Sequence, residues 1–344
     1  MRLPQKWRHV SDCPLTGIAQ NNPGNLWVSL AKMNKNRIFT FWEPRGSVPA
    51  YLRLCRDTWT LNCPEFEVIV VNYDNLEHYA GRGVLDIETL KTVGLHIQKD
   101  AILFAVLAKN GGIFMDMDTI VFSGLTDIQQ RLETTELITF HMHLGFVAAR
   151  QRSALVLECL EVVQHRLATL REQSEPVTRV SWDFFGNSIL DEVIWNAAHR
   201  MSLVSRTQGA LLSGISRLLA HTGSVGRDPA KFLNRLDKFI ATQVIFRHLF
   251  RKHYLMLSRD RQGFIAERVY GNKKLKNPLQ KYRDYWFTHN SHRVLPPPRH
   301  IPVIGLHNSW TPQWYSSLSE SEVLEHECLL SRTLGEALNY NAAH

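Results

Sequence analysis

Asn110-Gly111-Gly112 interrupts the most apolar stretch of the chain and limits how the residues on either side can fold. The spacing predicts a helix over residues 97–109, closed by glycines that accept the left-handed turn a helix end requires. Residues 113–122 then read as a strand, rich in β-branched and aromatic side chains. Alternate residues of a strand share a face, so Phe114, Asp116 and Asp118 are expected on one side. Ile113, Met115 and Met117 would turn the other way, into a core. Two neighbouring carboxylates in such a setting repel each other, and burial raises the cost of ionising both. A cation between them relieves that cost, and all-oxygen ligation favours Mg²⁺ or Mn²⁺ over zinc. The plain alternative is a pair of solvated aspartates at a strand end.

The preceding residues place this motif in a sheet. Residues 37–42 form a predicted strand, residues 48–61 carry helical spacing that Pro64 ends, and residues 66–72 are a near-continuous apolar strand. Strand–helix–strand–helix–strand predicts an α/β sheet with right-handed crossovers. Ligands of such sheets gather beyond the carboxyl ends of the strands, where Trp42, Asn72 and the Asp116/Asp118 pair are expected to meet. Further along, residues 136–141 and 144–150 read as strands, and residues 153–170, 189–199 and 229–252 as helices. Residues 258–300 read as loops.

The chain is long enough, at 344 residues with 44% hydrophobic, for one large or two modest domains. Its formal charge is +8, and residues 200–300 hold 20 Lys/Arg against 5 Asp/Glu. That stretch suits an anionic partner such as a lipid surface, a lipid diphosphate, an acidic polysaccharide or nucleic acid; a solvated basic face is the simpler reading. The five cysteines show no metal-ligand spacing, which suggests free thiols in a reducing compartment. No apolar run is long enough to span a bilayer, and the first ten residues lack a signal-peptide core. The expected location is cytoplasmic, with peripheral contact at the inner membrane face through residues 200–300.

The block from Lys99-Asp100 to Asp116-Met117-Asp118 resembles the DXD signature of GT-A glycosyltransferases, above all family 32 and the capsular polysaccharide synthesis proteins. Trp42, Pro49, Trp59, Pro64 and Phe66 resemble the family's opening pattern. Leu306-His307-Asn308-Ser309-Trp310 resembles its C-terminal metal-closing element, and Trp182-Asp183-Phe184-Phe185-Gly186-Asn187 is a fainter echo. The resemblance implies a GT-A fold with a Rossmann-like nucleotide-binding sheet and a mostly helical acceptor side. Its parts would be a lead-in at 1–36, a nucleotide-sugar half at 37–150, an acceptor half at 151–315 and a helical tail at 316–344.

It also implies a retaining transferase using a nucleotide sugar, expected to be a UDP-sugar, and Mn²⁺ or Mg²⁺. The acceptor would be a glycan or lipid-linked saccharide of surface polysaccharide synthesis, and no nucleic acid is expected. Trp42 would stack on the base and Asp100 would bond ribose or the donor sugar. Asp116 would hold ribose and metal-bound water, and Asp118 would ligate the metal directly. His307 or Ser309 would complete the metal shell, and Trp310 would cover the diphosphate. Two departures stand out: Lys99 replaces the family's serine, and Leu103 its arginine, which leaves the donor sugar open. Two rivals remain at this point. One is a basic binding protein on an inactive transferase scaffold. The other is a haloacid-dehalogenase-type phosphatase with Asp116 as nucleophile, although Ile120 does not fit that motif.

Overall fold

The computed structural model describes residues 36–140, 143–172, 180–200, 254–257, 278–288 and 303–339. Every described residue belongs to one compact unit, Asn36–His344. The elements that frame the site are, in order, β1 (Asn36–Phe41), α1 (Ala50–Asn62), β2 (Phe66–Val71), α2 (Leu95–Asn110), β3 (Gly112–Met115) and β4 (Thr119–Val121). Then come β5 (Leu137–Phe140), β6 (His143–Ala149), α3 (Ala154–Glu172), α4 (Asn187–Arg200), β7 (Tyr254–Leu257), α5 (Pro278–Phe287), β8 (Val303–Gly305) and α6 (Leu329–Asn339).

Six strands form one sheet in the order β2-β1-β3-β6-β5-β7. The first three are parallel, so the expected α/β core is present: β1 pairs with β2 through Ile38 and Val68, and with β3 through Ile38 and Ile113. β6 runs antiparallel to both β3 and β5, while β7 lies parallel to β5. The alternation expected for residues 113–117 is realised. Phe114 joins the core on one face with Phe39, Val147 and the helices α2, α3 and α4. Ile113, Met115 and Met117 join the other, with α1, α5 and α6. Helix α2 is buried along most of its length, which is why its sequence is apolar on nearly every side.

The turn between α2 and β3 demands glycine. Gly111 and Gly112 have φ of 66° and 96°, and a Cβ on Gly112 would lie 2.7 Å from the Arg37 carbonyl oxygen. The helix can therefore reverse directly into the strand that carries the two aspartates.

One strand expected over residues 113–122 is in fact two. The Asp116 N–H donates to the Gly145 carbonyl at 2.9 Å, the last tie to the main sheet, and the Thr119 N–H then donates back to the Asp116 carbonyl at 3.1 Å. Asp116-Met117-Asp118 is thus a turn, and β4 leaves to pair antiparallel with β8 in a separate two-stranded sheet. Residues 258–300, expected as loops, contain the helix α5. It starts at Pro278, where a proline loses no hydrogen bond, and it buries Tyr282 and Trp286 one turn apart. The expected helix over 229–252 lies outside the described residues. No helix among those described is long and apolar enough to cross a membrane. Cys55, Cys63, Cys159 and Cys328 are buried free thiols.

Helix α1 holds β4 in place through hydrogen bonds rather than shape alone. The fully buried Trp59 indole N–H donates to the Thr119 carbonyl at 2.6 Å, and the Asn62 amide donates to the Val121 carbonyl at 2.9 Å. Trp59→Phe keeps an aromatic filler but strands that carbonyl and opens a small void. We expect a loss of about 2 kcal/mol in chemical denaturation.

Candidate active site

The parallel strands end at a cavity of about 550 Å³. Its wall begins where β1 stops, at Phe41, Trp42 and Glu43, and continues through the turn Asp116-Met117-Asp118 after β3. Lys99 and Asp100 reach it from the second turn of α2, and His307, Asn308 and Ser309 close it after β8. Of the residues singled out in the sequence, Trp42, Asp100, Asp116, Asp118, His307 and Ser309 all line this space. Trp310 stands one layer back, its ring 4.7 Å from that of His307 and 5.6 Å from that of Tyr282. Asn72 is a correction: it was expected at the ligand-binding strand ends, but its carboxamide caps its own loop instead. There it accepts N–H bonds from Asp74 and Asn75 at 3.0 and 3.2 Å.

The charges in the cavity are unequal. The Lys99 ammonium lies 2.7 Å from Asp100 Oδ1 and 2.7 Å from Asp116 Oδ1, bridging two side chains that are only 13% and 29% exposed. Burial opposes charge on Lys99, but the two carboxylates more than offset it and hold the ammonium above its ordinary range. Lys99 thus supplies a cation between aspartates, though between 100 and 116 rather than 116 and 118.

Among the described residues Asp118 has no such partner. Its Oδ2 accepts the Asn308 N–H at 2.6 Å, and its own carbonyl accepts the Leu306 N–H at 2.9 Å. Burial and the nearby Asp116 push its carboxyl up to about 7, against the pull of the Asn308 N–H and of Lys99.

That shift fixes a pH dependence. A carboxyl raised in the folded state binds its proton more tightly there than in the unfolded chain. Between about pH 4 and pH 7 the unfolded chain ionises first, so folding loses stability as pH rises. The metal-free protein is expected to melt at lower temperature at pH 7.5 than at pH 5 on account of this group. Asp118→Asn should flatten that slope.

The segment carrying His307 is firmly seated. Tyr51 donates its hydroxyl to the Asn308 carboxamide, and the His307 N–H donates to the Tyr282 hydroxyl at 3.2 Å. Burial raises both phenols far beyond their ordinary range, so each remains a neutral hydrogen-bonding group.

Among the described residues, no group of three or more His, Cys, Asp or Glu is arranged to hold a metal on its own. The residues nevertheless fit a hard cation. Asp118 is a buried carboxyl that makes no ion pair among the described residues, and Asp116 is bonded to Lys99 through Oδ1. Magnesium-type sites commonly take one or two protein carboxylates and complete their oxygens from substrate phosphates and water.

Three lining features were given no role in the sequence reading. Lys99 was noted only as a departure. Glu43 accepts backbone N–H bonds from Tyr73 and Arg45 at 2.8 and 3.0 Å, bracing the turn after Trp42. Trp182 and Asn187 come from the faint echo between α3 and α4. Only the last carried a signal, an exposed-looking Trp and Gly amid aromatics.

Sheet order and cavity together define a mixed α/β protein with a parallel-rich central sheet and an acid-lined cleft at the ends of its parallel strands. Residues 25–154 match the family model described as capsular polysaccharide synthesis protein. That stretch holds β1 to β6 and every acidic residue of the cavity, while Trp182, Asn187 and the 306–310 segment lie beyond it. No curated protein matches the chain. Among solved structures it is similar to PaToxG Glycosyltransferase, at 13% identity and a TM-score of 0.32, over 60% of this chain and 87% of that one.

Proposed function

We propose that this chain is a divalent-metal-dependent glycosyltransferase of the capsular polysaccharide type, drawing its sugar from a nucleotide sugar, with UDP as the nucleotide. The observation that carries this reading is the meeting of Asp116 and Asp118 with Trp42, Asp100 and His307 in one cavity at the strand ends. Among the described residues, four carboxylates, those of Glu43, Asp100, Asp116 and Asp118, face one ammonium there. So acidic a space repels a diphosphate unless a cation enters with it. Bound Mg²⁺ or Mn²⁺ would supply Lewis-acid stabilisation of the departing nucleoside diphosphate.

In this reading Asp118 holds the cation and Asp116 shares it, kept in place by Lys99. Trp42 offers an aromatic face to the base, and its buried indole N–H has no partner among the described residues. Asp100, fixed by the same ammonium, faces ribose or the donor sugar. His307 and Ser309 lie on the diphosphate side. Following the resemblance, the transferred sugar keeps its anomeric configuration. The acceptor hydroxyl then attacks from the leaving-group side and passes its proton to the departing oxygen, so no dedicated protein base is required. The acceptor is a glycan or lipid-linked saccharide, with the basic residues 200–300 toward it or toward a membrane; nearly all of that stretch lies outside the described residues.

The experiment is a donor-hydrolysis screen of UDP-, GDP- and other nucleotide sugars with Mn²⁺ and with chelator. Release of sugar from at least one donor, lost on chelation, is expected. Hydrolysis of simple phosphomonoesters with no nucleotide-sugar turnover would instead favour the phosphatase. Salt-sensitive binding to a polyanion with neither activity would favour the inactive scaffold.

A further inference from the structure

We propose that Trp182 and Asn187 form the acceptor subsite, holding a pyranose ring of the acceptor saccharide against the indole. The inference rests on the transferase reading above and deepens it. Both residues line the cavity and both belong to the turn that opens α4.

Trp182 is 67% exposed, more than any other large hydrophobic side chain among the described residues, and Leu95 across the lining is 45% exposed. A bare indole at the edge of a polar cleft gains nothing from folding, because it remains in water. Ligand clefts are lined by aromatic and apolar side chains with a few polar groups among them, and Trp182 stands in such a lining. The π face carries partial negative charge and suits the weakly positive C–H face of a sugar ring.

Asn187 provides the second element. It lines the same cavity, and its carboxamide can both donate to and accept from sugar hydroxyls. Among the described residues its Oδ1 has no hydrogen-bond partner, so no protein contact there fixes the amide against turning toward a ligand. An aromatic face beside a carboxamide suits a saccharide better than a purely apolar ligand.

The turn is also positioned relative to the reaction. A Cβ on Gly186 would lie 2.6 Å from Asp100 Oδ2, so the backbone between Trp182 and Asn187 packs directly on Asp100. Asp100 is one ammonium away from Asp116. A saccharide held here sits beside the carboxylates that face the donor, while the exposed indole leaves the rest of the chain free to extend outward.

Saturation-transfer NMR with the methyl glycosides of glucose, galactose, mannose and N-acetylglucosamine tests this on the full-length protein without a donor. The wild type is expected to bind at least one of them. Trp182→Ala should weaken that binding about tenfold, and Trp182→Tyr should restore most of it. With a donor found by the hydrolysis screen, Trp182→Ala should also shift the partition from transfer toward hydrolysis by a similar factor. Glycoside binding by Trp182→Ala equal to wild type, or binding by neither folded protein, would overturn the subsite. Glycoside binding that depends on Trp182, in a protein that hydrolyses no nucleotide sugar, would support the saccharide site and count against the transferase reading alone.

Discussion

Asp118→Asn is expected to lower metal-supported donor hydrolysis by about 10²–10³-fold, while raising the melting temperature of the metal-free protein above pH 7. The two effects have one origin. Asp118 is 8% exposed and close to Asp116, and it faces a cavity in which the one ammonium among the described residues is already shared between two other carboxylates. Ionising it without a cation costs folding free energy, which the raised carboxyl value of about 7 records. Asparagine is nearly the same shape and can still accept the Asn308 N–H through its carbonyl oxygen. It removes the charge, and with it both the strain on the empty fold and the attraction for the metal. Such a residue weakens the fold for the sake of the site. Lower activity accompanied by lower stability would mean that Asp118 is a structural hydrogen-bond acceptor and nothing more.

Lys99→Met should cost about 3 kcal/mol of stability, the low end of what is lost when one partner of a buried ion pair is removed. The low end applies because Asp116 retains some exposure, at 29%. Methionine replaces the stem of the lysine but leaves Asp100 and Asp116 facing each other without a cation. If charge is the cause, adding Asp100→Asn should recover about half of the loss, a coupling that a double-mutant cycle in urea would read. If Lys99 merely fills space, the methionine variant should be nearly neutral and the second change should not help.

The helix-to-strand reversal at Gly111-Gly112 and the two-faced alternation of residues 113–117 were readable because local chemistry decides them: glycine for the turn, period two for the strand. The parallel core was readable for the same reason. That Asp116 and Asp118 sit on a turn and not along one continuous strand could not be read, because the break at Asp116 depends on β8 drawing β4 away from nearly two hundred residues downstream. No local pattern encodes that pairing. Lys99 illustrates the same difficulty: its neighbour Asp100 is adjacent in sequence, but Asp116 reaches it only through the packing of α2 beneath β3. The helix at Pro278–Phe287 did carry a usable signal, a first-turn proline and buried aromatics at Tyr282 and Trp286, masked by the charged residues between them.

Everything assigned to the cleft depends on a cation joining a nucleotide diphosphate to the carboxylates at 116 and 118. Calorimetric titration of UDP and GDP into the protein, with Mn²⁺ and then with chelator, examines that link without needing the donor sugar or the acceptor. One nucleotide should bind with Mn²⁺, bind far more weakly under chelation, and lose its metal dependence in Asp118→Asn. Equal nucleotide affinity with and without the metal, or a metal effect that survives Asp118→Asn, would contradict it.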